Sequence, residues 1–129
     1  MTTRTALTAA AAALVAIATL AWASADSAEP DPQWLIMLSP ATEGVKDGSD
    51  PEAVRAVGEH FQRLVRLRDA GQVLLAGRTM DDEAIGLVIF TAPDEEAARA
   101  FMDADPAVSR GFMHAKLHPY AVAIEGFSK

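Results

Sequence analysis

The sequence predicts an α+β domain in which two helices cover one face of a four-stranded antiparallel sheet. Three observations carry this. Two segments, 51–70 and 92–104, place apolar residues at helical spacing behind acidic starts. Four short apolar runs, at 33–39, 72–77, 85–91 and 112–126, are bounded by Gly, Pro or Asp-rich breaks. The order is β-α-β-β-α-β, and the middle two strands are joined by the short turn RTMDDEA, which suits a hairpin.

The domain begins after a leader. MTTRTALTAAAAALVAIATLAWASA carries one positive charge, Arg4, then an uncharged run from Ala6 to Ala23, and closes on Ala23-Ser24-Ala25. That is the layout of a secretory signal peptide, 1–25, cleaved after Ala25. The alternative is an uncleaved membrane anchor, since the run is about long enough to span a bilayer. Cleavage would leave a periplasmic or secreted protein with no membrane attachment. Residues 26–32, Pro-rich and charged, read as a linker, and 33–129 as one domain. The chain has no Cys, which excludes disulfides, a lipid-modified Cys, a thiol nucleophile and a thiolate metal site.

Beyond the leader ten basic side chains face eighteen acidic ones, a formal balance of −8. Nucleic acid and anionic membrane surfaces need a basic footprint, so neither is an expected partner.

Each element has a local cause. QWLIMLS is a short apolar run bounded by turn residues, and PATEGVKDGSD after it reads as a loop. Asp50-Pro51-Glu52 supplies an N-cap, a Pro at the first helical position and an early acid. Val54, Val57, Phe61, Leu64 and Val65 then share one face, expected to be the buried one, and the helix ends at Ala70-Gly71. QVLLAG and IGLVIFT are the hairpin strands. APDEEAARAFMDA is a second amphipathic helix, with Ala97, Ala98, Phe101 and Met102 inward. Asp105-Pro106 starts a one-turn helix, and FMHAKLHPYAVAIEG is the last extended segment. This is the ferredoxin-like arrangement. The strands carry apolar residues in both directions (Leu35 and Met37 against Ile36 and Leu38), so the second face also needs a cover. Another copy, sheet to sheet in a homodimer, is the simplest one.

Few motifs point to chemistry. There is no Gly-rich phosphate loop, H-E-x-x-H or G-x-S-x-G. No metal site and no cofactor are expected. His114 and His118, four apart on a strand, are too widely spaced for simple chelation. Arg78 has a planar fork that suits a carboxylate, but a surface loop Arg is the plainer reading. His60 lies at the edge of the first helix's apolar stripe, where a packed, hydrogen-bonded His is ordinary. Asp105 before Pro106 is a good N-cap, and periodicity alone does not bring it to His60.

Residues 59–79, EHFQRLVRLRDAGQVLLAGRT, and 95–120, EEAARAFMDADPAVSRGFMHAKLHPY, closely resemble the YCII-related (YciI-like) family. That family shows a His on the first helix followed by a Leu-rich turn, then G-x-x-L-x-A-G, A-D-P-x-V-x-x-G and a final P-[FWY]. The resemblance spans residues 33–124. It implies a ferredoxin-like fold paired into a dimeric α/β barrel, with a His–Asp pair in a cleft between sheet and helices, here His60 and Asp105. Some relatives resemble dehydrochlorinases and muconolactone-isomerase-like enzymes, which move a proton on a small cyclic anion. Two departures bear on the substrate: Gly77-Arg78-Thr79 stands where some members have Gly-Pro, and the leader is foreign to a mainly cytoplasmic family.

Two functional readings follow. One is an exported, dimeric, cofactor-free lyase or isomerase using His60 as general acid/base, Asp105 as its orienter and Arg78 as anion holder for a small anionic substrate. The other is a non-catalytic ligand-binding or accessory module on the same fold.

Overall fold

The computed structural model describes residues 29–126. The expected leader, 1–25, and the first part of the linker lie outside the described residues. The elements are β1 (Gln33–Pro40), α1 (Glu43–Lys46), α2 (Pro51–Asp69), β2 (Val73–Arg78), β3 (Gly86–Thr91), α3 (Glu95–Asp103), α4 (Pro106–Ser109) and β4 (Met113–Tyr120). The sheet order is β2-β3-β1-β4, and every neighbouring pair is antiparallel. This is the expected ferredoxin-like α+β fold, with a helical α2 and α3 in its two β-α-β units. Among the described residues no helix is long and apolar enough to cross a membrane.

Alternation along the strands sorts the sheet into two faces. Trp34, Ile36 and Leu38 of β1 and Val88 and Phe90 of β3 are buried under the helices. Phe90 is fully buried and stacks on Phe101 of α3, with ring centroids 4.0 Å apart. The Trp34 indole donates to the Ala92 carbonyl at 3.1 Å, which satisfies its one polar atom. Leu35, Met37, Leu87 and Ile89 point the other way, and pairing places Leu75 beside Ile89 on that face.

The helix ends follow local chemistry. Asp50 Oδ1 accepts from the Glu52 and Ala53 N–H groups at 3.0 and 3.4 Å. At the other end of α2, Gly71 takes φ +81°, its N–H reaches the Arg68 carbonyl at 2.9 Å, and the Gln72 N–H reaches Leu67 at 2.9 Å. These two bonds make a Schellman cap, which needs a left-handed residue and so favours Gly.

Three expectations need correction. The loop 40–50 holds a short helix, α1, capped by Thr42. The last strand ends at Tyr120 rather than continuing to 126, because its partner β1 begins opposite it at Gln33. The third correction concerns α2. The expected inward stripe is not the buried one: Val54 is 54% and Phe61 67% exposed. Of that stripe Leu64 is buried as expected, but its buried companions are Ala53 and Ala56, a face turned by about one residue, or roughly 100°. The reason is packing distance. α2 packs against α4 as well as the sheet, and small side chains let two helices approach closely. The larger Val57, Phe61 and Val65 are displaced to the flank of the helix, where they line a cavity against β2.

Candidate active site

His60 and Arg63 are three apart on α2 and so share a face. That face continues the Ala53–Ala56 row and looks toward the start of α4. There Asp105 is the N-cap residue: its Oδ1 accepts the Ala107 N–H at 3.0 Å. α4 closes as α2 does, with Gly111 at φ +78° and the Phe112 N–H on the Ala107 carbonyl at 3.0 Å. Arg110, at its end, pairs with Glu59 of α2 at 2.6 Å. The short helix is thus capped at both ends and pinned to α2 beside His60.

The second carboxylate oxygen of Asp105 faces α2. His60 Nδ1 lies 2.7 Å from Oδ2, and Arg63 Nη1 lies 3.4 Å from the same atom. Arg63 is held in place by a 2.9 Å bond to the Phe101 carbonyl and by stacking over the Phe101 ring at 4.6 Å. Asp105 is only 4% exposed. Burial pushes its carboxyl up, but the hydrogen bond and charge of His60, the Ala107 N–H and the Arg63 guanidinium together outweigh that and hold it below the ordinary carboxylate value. An ionised carboxylate only accepts, so Nδ1 of His60 carries the proton and donates it. In its neutral form the ring presents a lone pair at Nε2, which makes no hydrogen bond among the described residues.

His60 stands at a boundary. On the Asp105 side it lines a small void of about 10 Å³, too small for a ligand. On the other side it forms part of the wall of a cavity of about 630 Å³ between α2, β2 and the start of β3. Asp105 does not reach that cavity; His60 is the member of the pair that does. Arg78 lines the same cavity. It pairs with Gly86, on the helix-covered side of the sheet, because Gly86 abuts Leu38 there. Of the three residues singled out by sequence, His60 and Arg78 line this cavity, and Asp105 contacts His60 from outside it.

Sequence reasoning missed Arg63 and Lys46. Arg63 had a signal, since i,i+3 spacing from His60 puts it on the same helix face. Lys46, on the cavity wall, sits in a segment expected to be loop and had none. Asp103, at the end of α3, is exposed. His114 and His118 are exposed on β4, opposite Ser39 and Leu35, on the sheet face away from the helices.

A family model described as the YCII-related domain matches residues 34–117, nearly the whole of the folded unit described above. No curated protein matches the chain.

Proposed function

The chain belongs to the YCII-related domain family, and from that membership together with the site geometry we propose that it is a small-molecule enzyme of the lyase or isomerase type, acting without a cofactor. One observation carries the reading: His60 is fixed through Nδ1 to a buried, ionised Asp105 at 2.7 Å and also lines a 630 Å³ cavity that Asp105 does not reach. A ring oriented this way has one nitrogen committed and one available. Nε2 takes a proton from a carbon of the substrate, and Asp105 stabilises the imidazolium that results. In an isomerisation the proton returns to a different atom of the substrate. In an elimination the leaving group departs with its bonding electrons, and the imidazolium gives its proton up afterwards. Arg78 holds the anionic group of a small substrate, its fork matched to a carboxylate.

The working unit in this proposal is an exported homodimer. Leu35, Met37, Leu75, Leu87 and Ile89 make the β1–β3–β2 part of the helix-free face apolar, and a second copy laid on it two-fold would cover it. Export rests on the sequence of residues 1–25 alone.

The test has two stages. A metabolite panel screened by thermal shift identifies a ligand, and turnover is then measured for wild type and His60→Asn. The expected result is a fall in kcat of about 10²–10⁴-fold with the fold intact by circular dichroism. Full activity in His60→Asn would remove the acid/base role and leave a ligand-binding module.

A further inference from the structure

The wall of the His60 cavity has a composition unlike the rest of the chain. The protein carries eighteen acidic residues and eleven basic ones, yet among the described residues no Asp or Glu lines this cavity, while Lys46, Arg68 and Arg78 do. Arg68 is occupied, since its guanidinium makes two hydrogen bonds to Asp69 at 3.0 and 2.7 Å. Lys46 and Arg78 have no acidic partner among the described residues. The remaining wall is largely aliphatic and aromatic, with Val57, Phe61, Val65 and Leu74 among its members. Phe61 leaves two thirds of its surface, 67%, open.

From this we infer that the cavity takes an apolar acid: a single carboxylate on an aryl or alkyl body, with the carboxylate held by Lys46 and Arg78 and the hydrocarbon body on Val57, Phe61 and Val65. The inference rests on reading the His60 cavity as the substrate site, and it narrows that reading from any small anion to one class. A free inorganic anion gains nothing from the apolar wall and loses its hydration. A neutral hydrocarbon leaves two cations facing a dry ligand, and an amine adds like charge. An apolar carboxylate satisfies both parts, because the Arg fork and the Lys ammonium each gain a charged acceptor as the apolar surfaces close. The volume, about 630 Å³, lies within the range that encloses molecules of this size. Lys46 becomes a second specificity-determining residue beside Arg78, on a separate element: one ends α1 and the other ends β2.

Calorimetric titration of the full chain with octanoate, 4-phenylbutyrate and 2-naphthoate, each against its own primary amide, tests this. At least one acid is expected to bind about ten-fold or more tightly than its amide, the margin of a charged hydrogen bond. Lys46→Gln and Arg78→Gln each shrink that margin by about ten-fold or abolish it, while amide binding holds. Arg66→Gln, an exposed cation elsewhere on α2, leaves the margin intact. The inference is overturned when no acid outbinds its amide, when the margin survives both cavity substitutions, or when inorganic phosphate binds as well as the acids. Binding is read here without turnover, so an inactive His60 would sink the acid/base reading and not this one.

Discussion

The Asp105 carboxylate does two structural tasks with two oxygens, and removing it should cost the sum of both. In Asp105→Ala the cap on α4 is lost, which costs about 1 kcal/mol for a helix start. The His60 Nδ1–H and one Arg63 N–H lose their acceptor in a site where both side chains are largely buried, 16% and 17% exposed. Unsatisfied donors there add about 1–3 kcal/mol. The expected total is about 2–4 kcal/mol, a large fraction of a domain stability of about 5–15 kcal/mol. Asp105→Asn keeps the amide oxygen for the Ala107 N–H and loses only the charge and one acceptor, so about 1–2 kcal/mol is expected. Urea unfolding of both variants, followed by circular dichroism at pH 7, reads these values. The pH dependence has a definite sign. The folded carboxyl is held below its ordinary value, so its stabilisation is fully present above the unfolded value of about 3.9 and is lost as pH falls through the folded value. The gap between wild type and Asp105→Asn should therefore shrink below about pH 4. An Asp105→Ala cost under about 1 kcal/mol, or a gap that widens as pH falls below about 4, would refute the account.

The displaced face of α2 makes a paired prediction. Leu64→Ala, at a buried position, should cost about 2–4 kcal/mol, whereas Phe61→Ala, on the open cavity wall, should cost well under about 1 kcal/mol by the same unfolding assay. Equal costs would restore the face expected from periodicity. The proposed homodimer is checked by Ile89→Lys, which puts a charge at the centre of the helix-free sheet face. Sedimentation velocity should show a dimer for wild type and a folded monomer for the variant; a variant that stays dimeric moves the interface elsewhere.

Much of the fold was legible because its causes are local. Asp50-Pro51 and Asp105-Pro106 start their helices with side-chain bonds to N–H groups two or three residues on, and Gly71 ends α2 by a backbone conformation few other residues adopt. The alternation of β1 told its two faces apart for the same reason. The site was legible only in part. Asp105 as a cap follows from its neighbours; Asp105 as the partner of His60, forty-five positions away, came from resemblance to a family and not from spacing.

The sequence by itself determined the two long helices and the four strands, their order, and that Asp105 would cap a turn, because those depend on contacts within a few residues. Only the tertiary structure decided which side of α2 is buried, and it chose the Ala row over the larger Val54–Phe61 stripe. Side-chain size sets how closely α2 and α4 pack, and hydrophobic spacing alone carries no information about a helix's neighbour. That one rotation brings His60 and Arg63 onto Asp105, and it leaves Val57, Phe61 and Val65 to wall a cavity shared with Arg78 and Lys46.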